Sequence, residues 1–161
     1  MKRDNAWLVQ VLDKIWDNYF ADVPQDNDVR IIFGRRAKRR LGSISLDPSD
    51  LKTSIITMNG LFKDPEIPEF VVEATIVHEL THYAHGFNSP LEQSKTHPHA
   101  GGVMRREFAE RGLLELYLQQ KRWLKENWAG VIERELRSGS RPRRAGTVNI
   151  RVPKPFWFIG D

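Results

Sequence analysis

Cysteine is absent from the 161 residues. That absence excludes disulfides, thiolate metal sites and a cysteine nucleophile together, and leaves His, Asp and Glu as the charged or imidazole groups that could hold a metal. Histidine is itself scarce, with 5 residues. Long apolar runs are missing as well: no stretch approaches the ~20 apolar residues of a membrane-spanning helix. Met1 to Phe20 opens with Lys2 and Arg3 but lacks the unbroken apolar run and small-residue cleavage site of a secretory signal. Instead Trp7, Leu8, Val11, Leu12, Ile15, Trp16, Tyr19 and Phe20 recur at helical spacing, which predicts an amphipathic N-terminal helix. A cytoplasmic protein with no membrane segment is the expectation, and the length suits one domain with a real core.

Beyond that helix, Ala21-Asp22-Val23-Pro24 breaks the period. Val29 to Phe33 reads as a strand and Leu41 to Leu46 as its partner, joined through the basic stretch Gly34 to Arg40. Asp47-Pro48-Ser49-Asp50 is a turn, and Ser54 to Met58 a third strand. Pro68 to Phe87 has a helical pattern, Asn88 to Pro98 is rich in turn formers, and Val103 to about Leu136 reads as one helix with Leu113, Leu114, Tyr117, Leu118, Leu124 and Trp128 as its apolar positions. Residues 1–136 are thus expected to form the domain. Residues 137–161 read as a basic linker followed by Thr147 to Phe158, an alternating, aromatic-ended segment expected to dock back as an edge strand.

Within the Pro68 to Phe87 helix stands His78-Glu79-Leu80-Thr81-His82, the pattern H-E-x-x-H. Histidines four apart on a helix lie about 40° apart around its axis, so both imidazoles could bind one Zn²⁺. Glu79, one position on, could take a proton from a water at an open coordination position, while the metal acidifies that water and polarises a scissile carbonyl. Phe70, Ala74, Val77, Thr81 and Ala84 make one apolar face of this helix, and Ile76 and Leu80 cover another. Two histidines and a glutamate on a mostly buried helix are costly unless something pairs with them, and a metal would. His85, a turn beyond His82, reads as a residue ending the helix beside Gly86.

A catalytic zinc site needs a third protein ligand. The extended H-E-x-x-H-x-x-G-x-x-H pattern fails, because His85 stands where it requires Gly and Asn88 where it requires His. His97, His99, Glu107 and Glu110 all follow within reach. The succession of an N-terminal helix, the Leu41 to Leu46 and Ser54 to Met58 strands, His78-Glu79-Leu80-Thr81-His82, and a loop histidine opening the next helix resembles the SprT-like family of zinc metallopeptidases, which includes the spartan-type DNA–protein crosslink proteases. The likeness covers about Val29 to Leu116, with the H-E-L-x-H stretch its one sharp motif. In that family an apolar residue follows the third histidine by one helical turn and a Gly-Leu pair comes further on. His99, with Val103 and Gly112-Leu113, fits this register, whereas His97 would put Gly101 at the apolar position.

The resemblance implies an α+β, zincin-like fold with an N-terminal helix, a small mostly antiparallel sheet, the H-E-x-x-H helix and a C-terminal helix that closes the site. It implies zinc held by His78, His82 and His99, Glu79 as general base, and a protein or peptide substrate. In zincins an edge strand borders the cleft, and Ser54 to Met58 is the candidate for it. The chain departs from the DNA-repair members in having no cysteine-rich zinc ribbon, so a repair role does not follow from the fold. Net charge is +4, with arginine clusters at Arg35–Arg40 and Arg134–Arg144 that could bind DNA phosphate or simply be solvated. No aromatics interleave them, so base stacking is not indicated. Two rival readings are a non-catalytic DNA-associated module with structural zinc and a regulatory peptidase that cleaves a repressor.

Overall fold

Asp4 starts the first helix by accepting a hydrogen bond from the Trp7 N–H at 3.0 Å, which satisfies one of the donors that a helix N-terminus leaves unpaired. In this computed structural model residues 1–139 are described. The Thr147 to Phe158 segment and Arg141, Arg143 and Arg144 lie outside the described residues. Helix α1 (Asn5–Tyr19) buries Trp7, Leu8, Val11, Leu12 and Ile15, the stripe expected from their spacing. Strands β1 (Val29–Phe33), β2 (Gly42–Leu46) and β3 (Ser54–Met58) follow. After them come α2 (Glu69–Ala84), α3 (Val103–Glu110) and α4 (Leu114–Gly139).

The sheet corrects three expectations. Its order is β1-β3-β2, with β1 parallel to β3 and β2 antiparallel to it, so β1 and β2 do not pair and the sheet is mixed rather than mostly antiparallel. The segment between them is no hairpin. Its path is set by Asn59, buried at the end of β3, whose Nδ2 donates to the carbonyls of Ala37 and Arg40 at 2.7 and 2.8 Å while its Oδ1 accepts from the Ala37 N–H. Trp128 Nε1 on α4 donates to the Lys38 carbonyl as well. These bonds carry the chain around the end of β3 and deliver β2 to the far side. Ser54 to Met58 is therefore the central strand rather than the edge, and the edge strand packed beside α2 is β2.

The open edge of β2 is identifiable from its register. Asn59 N–H donates to Leu41 O and Asp47 N–H to Thr53 O, so odd-numbered residues face β3, and the main-chain groups of Gly42, Ile44 and Leu46 point outward. One of these, the Ile44 carbonyl, already accepts from Asn88 Nδ2 at 3.0 Å.

Helix α2 is buried on almost every side, Val71, Val72, Ala74, Ile76, Val77 and Leu80 being fully inaccessible. The Val, Ile and Leu side chains among these each contribute about 1.5–3 kcal/mol on burial. Its middle is tied to α4 by Gln120, whose buried amide donates to the Val71 carbonyl and to Thr75 Oγ1 at 3.0 Å. The single helix expected from Val103 to about Leu136 is two. Arg111 caps α3, Gly112 has φ +75°, and Leu113 N–H returns to the Phe108 carbonyl at 2.7 Å. This is a Schellman-type ending, and it turns the chain into α4. Among the described residues no helix is long and apolar enough to cross a membrane.

Candidate metal centre

Two of the site's histidines are delivered by α2 and the third by the loop that follows it. His78 and His82 are both buried, and their ring centroids lie 4.7 Å apart. His99, half-buried ahead of α3, stacks on His78 at 5.1 Å and meets His82 edge-on at 4.8 Å. One nitrogen from each of the three rings lies within 4.8 Å of the others. These three residues could hold a metal ion.

The path from His82 to His99 has local causes. His85 N–H bonds to Thr81 O, Gly86 N–H to Tyr83 O and Phe87 N–H to His82 O, which again ends the helix in a Schellman-type turn. Gly86 has φ +82°, and a Cβ there would come 2.5 Å from the Glu92 carbonyl oxygen, so the position admits only glycine without strain. Phe87 then packs edge-on against His82 at 6.0 Å. His85 caps the helix, and its Nε2 meets Glu107 Oε1 at 2.8 Å. Glu107 is thereby engaged in tying α3 to the end of α2, with Arg111 Nε 3.7 Å from its other oxygen. Of the other residues weighed as third ligand, His97 and Glu110 are exposed. Neither belongs to the histidine cluster.

The electrostatics favour neutral imidazoles. Burial holds His78 well below the ordinary histidine range, with His82 and His99 adding to the effect. Burial likewise pushes His82 down to about 3, helped by His99 and His85, and lowers His99. Neutral rings keep the lone pairs that a metal requires. In addition, His82 Nδ1 is buried with no hydrogen-bond partner, and leaving such an atom unsatisfied costs about 1–3 kcal/mol. A cation among these rings fits both observations, and three imidazoles without thiolate suit a divalent transition metal.

Glu79 is 2% exposed. Burial pushes its carboxyl up to about 8, opposed by the Arg40 guanidinium. It rests against β2: a Cβ at Gly42 would lie 3.0 Å from Glu79 Oε1 and 2.9 Å from Thr75 Cγ2. A cleft of about 420 Å³ opens here, bordered by Arg40, Gly42 to Ser45, Glu79, His82 and Asn88. Sequence reasoning does not single out Gly42 or Asn88, and it places Arg40 in a basic cluster rather than at the cleft. The signal for Gly42 is the glycine that opens an alternating strand, which marks a close approach of backbone to another group.

The basic stretches are partly neutralised. Arg36 meets both Glu135 oxygens at 2.9 Å, Arg134 lies 3.5 Å from Glu66, and Arg137 lies 2.6 Å from Glu133. Arg35, Lys38 and Arg39 remain exposed. No protein-family model matches this chain, and neither does any curated protein or solved structure.

Proposed function

We propose that this chain is a zinc-dependent metalloendopeptidase of the SprT-like, zincin-like kind, with His78, His82 and His99 as ligands and Glu79 as general base. One observation carries the reading: the imidazoles of His78, His82 and His99 converge, and one of them, His82, borders a cleft together with the buried Glu79 carboxyl and the open edge of β2. When bound, Zn²⁺ supplies polarisation of a carbonyl and acidification of a water. The chain's own groups do the rest. Gly42 offers an outward N–H and C=O and Ile44 an outward N–H, enough to hold one or two residues of an extended peptide against β2. Glu79 takes the proton of the attacking water and passes it to the leaving amine nitrogen. Gly42 keeps the Glu79 oxygen close to the held peptide. A DNA interaction, if it accompanies this activity, falls to Arg35, Lys38 and Arg39.

Glu79→Gln tests the proposal. The variant is expected to lose cleavage of an unfolded protein substrate by at least ~100-fold while keeping its zinc content and melting temperature. His99→Ala is expected to lose most of the bound zinc and His97→Ala to keep it. Undiminished cleavage by the Glu79 variant, or full zinc loading without His99, would refute the corresponding assignment.

A further inference from the structure

Arg40 is the arginine that borders this cleft, and it does so without a carboxylate ion pair. Arg30, Arg36, Arg111, Arg134 and Arg137 each form an ion pair, whereas Arg40 forms none among the described residues. Its backbone is held firmly, because its carbonyl accepts from the buried Asn59 amide. The side chain is exposed, stands two residues before β2 and borders the cleft with Glu79 and His82. Apart from Glu79, no carboxylate borders that cleft.

The site therefore presents one cation on a rigid mount, at the end of the strand edge that would grip a peptide. A guanidinium offers a planar fork of donors matched to a carboxylate. Resting on the peptidase reading above, we propose that Arg40 is a specificity determinant that holds a carboxylate of the substrate peptide beside Gly42. The carboxylate could be an acidic side chain or a chain terminus. Basic side chains at the same place are repelled, since no anion other than the enclosed Glu79 is there to receive them.

Binding rather than turnover tests this. Fluorescence anisotropy would be measured with zinc-loaded Glu79→Gln, and with the same protein carrying Arg40→Ala or Arg40→Glu, each checked for fold by circular dichroism. The probes are labelled peptides identical except for Glu, Gln or Lys at one central position, each made with a free or an amidated C-terminus. The Glu peptide is expected to bind about 10-fold more tightly than the Lys peptide. That preference should vanish with Arg40→Ala and reverse with Arg40→Glu. If discrimination follows the free C-terminus and still needs Arg40, the carboxylate held is the chain terminus. Equal discrimination by all three proteins, or no binding of any peptide, overturns the proposal. Failure of the peptidase reading would look different: the unsubstituted protein would not cleave, yet the Arg40-dependent preference would stand.

Discussion

Gly42 shows how much of a site can rest on a missing side chain. A methyl group there would stand 3.0 Å from Glu79 Oε1 and 2.9 Å from Thr75 Cγ2, and Thr75 cannot retreat freely, because its hydroxyl is bonded to Val71 O and Gln120. Glu79 is the part that must yield. Gly42→Ala is accordingly expected to lower peptide cleavage by about 100-fold with zinc content unchanged, as read by metal analysis beside a fluorogenic peptide assay; unimpaired cleavage would show that the carboxylate tolerates displacement. At this scale the sequence is informative where one helix supplies the chemistry, since the spacing of His78, Glu79 and His82 is a local property. The third histidine is not local. His97 and His99 have similar surroundings in the chain, and only the family register separates them before the loop's path is known. The roles of Gly42 and Arg40 depend on which strand passes over Glu79, which no local pattern contains.

Helix endings decide where the chain goes next. Gly86 and Gly112 end their helices in the same way, at φ +82° and +75°, but a Cβ at Gly86 would strike the backbone of Glu92 and Gln93, whereas nothing lies within 4 Å of one at Gly112. Gly112→Ala should thus cost about 1 kcal/mol of conformational strain alone, and Gly86→Ala more, about 3 kcal/mol, with weakened zinc retention because the segment it displaces leads to His99. Urea denaturation of both variants measures the contrast, and equal losses would show that the Glu92 backbone gives way. The three strands were each legible from composition, with the bounds β1 and β3 show. Their order was not. Five-residue apolar strands carry no mark of parallel or antiparallel pairing, and the arrangement here is imposed by Asn59 and Trp128, which bind a connection that reads merely as basic. Gly112 was visible as half of a Gly-Leu pair, yet the apolar period runs through it, which is why α3 and α4 read as one helix.

Across the whole molecule, the buried titratable groups pull stability in opposite directions. In the metal-free protein His78, His82 and His99 are lowered from 6.5, so between 6.5 and their folded values the unfolded chain binds more protons and stability is lost as pH falls. Glu79 is raised from 4.5 to about 8, so its contribution is fully present below 4.5 and is lost as pH rises through 8. Three histidines outweigh one glutamate on the acid side, and Glu79 acts alone above 6.5. Urea midpoints of the metal-stripped protein at pH about 5, 6.5 and 8 should therefore peak near the middle value, and Glu79→Gln should remove the alkaline decline while keeping the acid one. Parallel profiles for the two proteins would contradict this ordering.

Asn88 has one more effect. It sits at φ +51°, a conformation that asparagine accepts more readily than most residues, and its amide fills the place on Ile44 that a neighbouring molecule's N–H would otherwise take. The outward edge of β2 is thus interrupted at Ile44, in the middle of the strand, and open at Gly42. The main-chain groups of Gly42 stay available to a short extended segment, whereas a second copy of the sheet finds no continuous ladder along β2 to extend, which blunts at this edge the strand-to-strand stacking by which unprotected edges drive aggregation.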